Sequence, residues 1–370
     1  MLVNTYNDMQ KNNYIGPLDK YFGTKTMQRT KGKGVFCGMD YINLPIIRPK
    51  EKYTRFDHSK NVAHSAWTLS EDLATSLAGA FHDTGTLSFA HANSFKKGDA
   101  LTQANDELNV ESVISQDEEL LTYLHEDKIN IADVSDYAKY PLLDKDVPAM
   151  CLDRVDGILA TCLFWAKTHN FEQIKELYYM LCYFENLNGM VIDLSSERLA
   201  KFNGEIVINE HHVDADYEDW FAAINVYSKI LLSKESRYLM EVFGLVLNYY
   251  EDIGLINEHD LFYLSEDEII NRILDSKYKD VWKDFVNIDQ IDYVTSDSGL
   301  IIYSKPKIRQ ANPLCMGQMT VCEIHDISGD FYRELNDLKE DLSLVEKPLV
   351  SNLSAPTVKI LSKYQKPRFR

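Results

Sequence analysis

The sequence predicts a mainly α-helical protein with small antiparallel β additions. Three observations carry that prediction. Apolar residues recur at helical spacing over most of the 370 residues. Strand-like runs are few, short and punctuated by glycine. Helix-boundary chemistry is present where periodic segments begin and end: Ser265 and Glu268 stand in capping-box spacing, and Gly254 closes a long apolar series.

Taken in order, Val62, Ala66, Leu69, Leu73 and Leu77 form one helical series. A second helix is expected over Met150 to Lys167, with Pro148 near its start. "FEQIKELYYMLCYF" (Phe171 to Phe184) is a third. "DYEDWFAAINVYSKILL", "SRYLMEVFGLVLNYYEDIG" and "SEDEIINRIL" follow. "GVFCGMDYI" reads as a strand candidate, "GMVIDL" with "GEIVINE" as one antiparallel pair, and "GLIIYSK" with "MTVCEI" as another. Residues 1–170 are expected to hold an N-terminal segment and a helical core. Residues 171–340 form a helical and mixed region packed on it. Residues 341–370, with Pro348, Pro356 and Pro367, read as a flexible tail.

Composition narrows the functions. No apolar run reaches the roughly 18–20 residues of a membrane span. The N-terminal stretch lacks the apolar centre of a signal peptide, so the protein reads as cytoplasmic. The six cysteines form no CxxC pair, which argues against a zinc ribbon or a disulfide scaffold. A net charge of −18 disfavours non-specific binding to duplex nucleic acid. The basic run "KPKIR" (Lys305 to Arg309) is either a solvated face or an anion contact. No GxxxxGK[ST] loop is present. A homo-oligomer is expected only on the general symmetry of soluble proteins.

The chemistry concentrates in three stretches. "TRFDHSKNVAHS" carries His58 at a helix start, "LAGAFHDTGT" carries His82 and Asp83 at a helix end, and "CLDRVDGILA" carries Asp153, with Asp156 on the same face. Imidazole nitrogens with carboxylate oxygens suit a divalent metal ion (Mn, Fe, Ni, Zn or Mg) and leave room for water or a phosphate oxygen. His64 lies six residues beyond His58, turns away from it on the helix, and reads as structural.

The order His, His-Asp, Asp within "RFDHS", "AGAFHDTG" and "LDRVDGIL" resembles the HD-domain metal-dependent phosphohydrolase superfamily. The resemblance is nearest to the branch of deoxynucleoside triphosphate triphosphohydrolases and related bacterial proteins. It covers most of residues 27–315, including "MQRTKGKGVFCGMDY" and "YPLLDKDVPAMCLDRVDGIL". It implies an HD-domain helical core in which His58, His82, Asp83 and Asp153 bind the metal. Gln28, Arg29 and Arg55 would lie near a bound nucleotide, and Arg154 would contact phosphate. The implied substrate is a phosphate ester, a nucleotide by preference, attacked by a metal-activated water that Asp83 also contacts. This chain departs from the pattern at Thr86, where the triphosphohydrolases carry a His, and at Asp106-Glu107, where they carry His-Glu. It departs again at Gly157, in place of an aromatic, and at Thr161, in place of an Asp. His91, Asp106 and Glu107 are the remaining candidates for moving a proton, His91 equally for orienting a ligand. A catalytically degenerate protein that binds a nucleotide as a sensor or assembly module is the alternative.

Overall fold

The structure is a computed structural model that describes residues 2–11, 14, 16–44, 49, 51–98, 110–184, 205–209, 217–294, 299–304, 311–316, 321–323 and 347–365. It is mainly helical, as the periodicity predicts. The first half holds α1 (Leu2–Lys11), α2 (Asp19–Phe22), α3 (Lys25–Gln28), α4 (Arg55–Ser70), α5 (Leu73–Phe81) and α6 (Ala92–Lys97). It continues with α7 (Val110–Ile114), α8 (Glu118–Glu126), α9 (Ile131–Val134), α10 (Leu152–Ala160) and α11 (Phe171–Tyr179). The second half holds α12 (Tyr217–Leu232), α13 (Lys234–Asp252), α14 (Glu258–Tyr263), α15 (Glu266–Asp275), α16 (Lys279–Val286) and α17 (Ala355–Leu361). No described helix is long and apolar enough to cross a membrane.

Local chemistry sets the helix limits. The single series expected from Val62 to Leu77 is two helices: the chain turns at Glu71, whose φ is 52°, and Asp72 caps α5 by accepting from the Thr75 N–H. Ser265 and Glu268 form the expected capping box on α15. The helix expected over Met150–Lys167 starts at Leu152 and passes after Ala160 into a π-type turn over Thr161–Trp165.

The strands depart further from expectation. β1 (Leu181–Phe184) takes the end of the third predicted helix and pairs antiparallel with β2 (Glu205–Asn209). β2 then pairs parallel with β4 (Leu314–Met316), and β4 antiparallel with β5 (Val321–Glu323). Gly189 to Leu194, expected opposite β2, lies outside the described residues. "GVFCGMDYI" forms turns and a short 3₁₀ segment at Met39–Tyr41 rather than a strand. Within the stretch expected to be a flexible tail, residues 347–365 form regular structure. β6 (Leu349–Ser351) pairs with β3 (Ile291–Tyr293), Leu349 and Leu361 are fully buried, and Pro356 opens α17 in the first turn, where it costs no hydrogen bond.

One core of buried apolar side chains runs from Val3 to Leu361, joining both halves of the chain. A smaller cluster around Tyr21, Met27, Phe81 and Leu124 underlies α2, α3 and α8. Close packing of α5 on α4 positions the site. A Cβ at Gly79 would lie 3.1 Å from both Val62 Cγ1 and Leu143 Cδ2, so glycine sets how near the two helices come.

Gly38 adopts φ +85°, and a Cβ there would lie 2.2 Å from Phe243 Cε1. Gly38→Ala is therefore expected to cost about 2–5 kcal/mol from left-handed strain plus overpacking. Urea denaturation monitored by far-UV circular dichroism would measure it.

Candidate metal centre

Three helix ends converge. Thr54 caps α4 with a reciprocal box to Asp57, which places His58 in the first turn of the helix. α5 ends at Phe81, and the His82 N–H still bonds the Ala78 carbonyl at 3.1 Å. The chain then folds into a tight turn, with the Thr84 N–H on Phe81 O at 2.9 Å and the Thr86 N–H on Asp83 O at 3.1 Å. Asp153 stands in the first turn of α10. His82 and Asp83 thus occur together because the turn lets consecutive side chains lean the same way.

The donor atoms crowd one point. His58 Nε2 lies 3.2 Å from His82 Nε2, and Asp83 Oδ2 lies 3.9 and 3.6 Å from those two nitrogens. Asp153 Oδ1 lies 2.9 Å from His58 Nε2 and 3.7 Å from His82 Nε2. A cation with bonds of about 2.1 Å spaces neighbouring ligands by about 3.0 Å and opposite ones by about 4.2 Å. The separations fall in that range. His58, His82 and Asp83 form a buried cluster whose donor atoms all lie within 4.8 Å of one another, a set that can hold a metal ion. Asp83 Oδ2 is buried with no hydrogen-bond partner, so an acceptor faces the cluster unused. The Asp153 side chain is 41% exposed and closes the cluster on its open side.

The second nitrogen of each imidazole is fixed from behind. His82 Nδ1 donates to Gly79 O at 2.7 Å. His58 Nδ1 meets Asp156 Oδ2 at 2.6 Å. Asp156 is buried and accepts from Tyr6 Oη at 2.8 Å, Gln10 Nε2 at 2.7 Å and Tyr53 Oη at 2.9 Å. A carboxylate behind a ligating imidazole sets the tautomer and turns Nε2 outward. Sequence reading noticed the i, i+3 spacing of Asp153 and Asp156 but gave Asp156 no role, and Tyr6, Gln10 and Tyr53 had no motif to reveal them.

Charge follows from these contacts. Burial works against a charged His58, but hydrogen bonds to Asp153 and Asp156 overcome it and raise its pKa from 6.5 to about 10. Without a cation, His58 is an imidazolium bridging two carboxylates. Burial likewise opposes ionised Asp83, yet Arg55, His82 and His58 hold it down at about 2. The stabilisation from His58 is therefore complete below pH 6.5 and lost as pH rises through about 10; that from Asp83 is complete above 3.8 and lost as pH falls through about 2.

The expected substrate contacts divide. Arg55 is buried and donates to Asp83 Oδ1, the oxygen that also accepts from the Thr86 hydroxyl at 3.2 Å. Arg154 lines the cavity over the cluster and donates to Ala149 O and, at 3.1 Å, to Lys145 O. His91 lines the same cavity. Gln28 and Arg29 do not line it. The Gln28 amide donates to Phe22 O at 2.6 Å. Arg29 donates to Thr84 O and, at 2.6 Å, to Phe262 O, with its guanidinium 3.9 Å from the Phe262 ring centroid. Lys33, which sequence reading did not single out, is buried and donates to Thr86 O and, at 3.0 Å, to Phe262 O. Burial, with Arg29 and Arg55 nearby, lowers the Lys33 pKa to about 6. These two side chains brace the His82-Asp83 turn from beneath. Asp106 and Glu107, with Lys305 to Arg309, lie outside the described residues. His64 is buried against the Tyr14 and Phe22 rings, as a structural residue would be.

The cluster opens into a cavity of about 910 Å³ walled by Phe36, Tyr137, Trp165 and Tyr227 as well as the polar groups. At Gly157 the missing side chain leaves space for the Tyr227 ring of α12, whose Cε2 would lie 3.8 Å from an added Cβ. An aromatic absent from α10 is thus supplied by another helix. A more open depression of about 680 Å³, beside Lys96, Asn248 and Glu258, holds none of the cluster residues.

The chain matches no protein-family model and no curated protein. Its fold matches that of a hypothetical protein from Aquifex aeolicus, with a TM-score of 0.58 and 13% identity over 95% of this chain and 96% of that one. It also matches a phosphohydrolase from Bacteroides thetaiotaomicron, with a TM-score of 0.57 and 11% identity over 92% of this chain and 96% of that one. The fold is therefore shared with a phosphohydrolase along nearly its whole length.

Asp156→Asn is expected to weaken Mn²⁺ binding about 10–100-fold by freeing the His58 ring, as read by calorimetry. Because a cation must displace the His58 proton, Mn²⁺ affinity of the unsubstituted protein is expected to rise about tenfold per pH unit between pH 6 and 8. The same calorimetry at stepped pH measures that slope; a flat profile would count against a protonated His58.

Proposed function

We propose that the protein is a metal-dependent phosphohydrolase of the HD superfamily, near its triphosphohydrolase branch, acting on a phosphate ester of the nucleotide class. The observation that carries the reading is the buried His58, His82, Asp83 cluster with Asp83 Oδ2 unsatisfied, at the floor of a cavity rimmed by Arg55 and Arg154. The shared fold of a phosphohydrolase supports it.

In this reading His58 and His82 supply Nε2, and Asp83 and Asp153 one oxygen each. The donor set suits Mn²⁺, Fe²⁺, Ni²⁺, Zn²⁺ or Mg²⁺, and such a cation would supply Lewis acidity and a more acidic water. Asp83 accepts a hydrogen bond from the attacking water. Arg55 offsets the Asp83 charge, so a phosphate anion meets less repulsion, and Arg154 complements it from the rim. Hydrolysis breaks the ester P–O bond and leaves an oxygen that needs a proton. His91 stands on the cavity wall for that step, and Asp106 and Glu107 are assigned to it by resemblance alone. The buried thiols Cys37, Cys151, Cys162 and Cys315 accord with a reducing, cytoplasmic setting.

One observation favours a second reading. Thr86 stands where the triphosphohydrolases have a His and donates to Asp83 instead of offering a titrating group. A ligand-binding sensor would keep the cradle and lose turnover.

Phosphate release from a nucleotide panel under each cation, with metal content measured on the same preparation, tests the proposal. Metal-dependent turnover above a His82→Ala background is expected, and Asp153→Ala is expected to lose both bound metal and turnover. Full metal-dependent activity in Asp153→Ala would overturn the ligand set; saturable nucleotide binding without turnover would favour the sensor.

A further inference from the structure

The cavity has polar groups that the metal cluster does not use. Arg237 and Ser304 both line it, yet they come from the start of α13 and from the segment after β3, far from the HD turn in sequence. Arg237 is 4% exposed and Ser304 2% exposed. The Ser304 hydroxyl is buried with no hydrogen-bond partner, on a residue that lines the cavity. A buried hydroxyl without a partner costs about 1–3 kcal/mol, so one on a cavity-lining residue points to a ligand atom that would satisfy it. Ser236, next to Arg237 in the chain and also lining the cavity, is already committed, donating to Ile230 O at 2.7 Å.

We infer that Arg237 and Ser304 form a second, anion-accepting subsite, so that the ligand of this cavity carries a phosphate at the metal cluster and a second acidic group at its other end. This rests on the reading of the cluster as a phosphate site. The guanidinium supplies charge and a planar fork of donors, and the hydroxyl adds a third donor. Tyr227, Leu231 and Met240 give the same wall an apolar surface for the body of the ligand. A volume of about 910 Å³ suits a molecule far larger than a lone phosphate ion. Burial pulls the Arg237 guanidinium below its ordinary pKa, and Tyr293, which hydrogen-bonds it, and Glu235 offset part of that.

The test uses non-hydrolysable probes, so it reads binding and not turnover. Hexylphosphonate has one acidic end; 6-phosphonohexanoate and hexane-1,6-diphosphonate have two. Calorimetry on the Mn²⁺-loaded full chain is expected to show at least one two-ended probe binding about tenfold or more tighter than hexylphosphonate. Whichever binds better identifies carboxylate or phosphate as the second group. Arg237→Ala and Ser304→Ala are each expected to reduce that gain while leaving hexylphosphonate affinity within about threefold, and Arg237→Lys to restore part of it. Ser304→Ala removes a single oxygen, so it keeps the test valid if Arg237→Ala unfolds. Equal affinity for one-ended and two-ended probes, or a gain that survives in Ser304→Ala and in a folded Arg237→Ala, overturns the subsite. Two-ended binding in a protein without turnover would retire the hydrolase and leave the subsite standing.

Discussion

The contact between His58 Nδ1 and Asp156 governs this molecule. A carboxylate removed from water costs several kcal/mol unless every lone pair finds a donor. Here donors arrive from Tyr6 and Gln10 on α1, from Tyr53 ahead of α4, and from His58 itself. One buried charge therefore ties α1, α4 and α10 together and turns a single imidazole nitrogen toward the cavity. Packing and ligand orientation are the same fact viewed from two sides.

The opposite flank is built by basic side chains. Arg55 neutralises Asp83 directly. Arg29 and Lys33 act on the backbone, taking the carbonyls of Thr84 and Thr86 that a tight turn leaves exposed. Carbonyls in such a turn have no helical partner and cannot be buried unpaired. Basic residues that look suited to a phosphate thus serve the turn that carries the Asp83 carboxylate. This explains why a run rich in lysine and arginine near residue 30 contributes little positive charge to the cavity.

Much of the helical frame was legible because it rests on local signals: apolar periodicity, the Ser265 capping box and Gly254 can all be read without a partner. The strands were less legible. Leu181 to Phe184 reads as helix from its own residues and becomes β1 because β2, far along the chain, offers a ladder. Proline in the C-terminal stretch suggested looseness, whereas Pro356 opens a helix. In the site, side chains in recurrent order were visible, and His58, His82, Asp83 and Asp153 do come together. What escaped was everything that depends on distant chain meeting distant chain. Tyr6 and Gln10 gain meaning only beside Asp156, Tyr227 only above Gly157, and Arg29 only against Phe262.

The grip of Arg29 and Lys33 on Phe262 O has a mechanical corollary. The same two side chains hold the turn after Asp83 and the end of α14, so the chain near residue 262 acts as a foundation for the Asp83 carboxylate. Cutting the protein after residue 170 would leave the Arg29 guanidinium and the buried Lys33 amine without the Phe262 carbonyl they share. The turn after Asp83 and the end of α14 thus share one pair of basic side chains, drawn from a segment between them and the N-terminus.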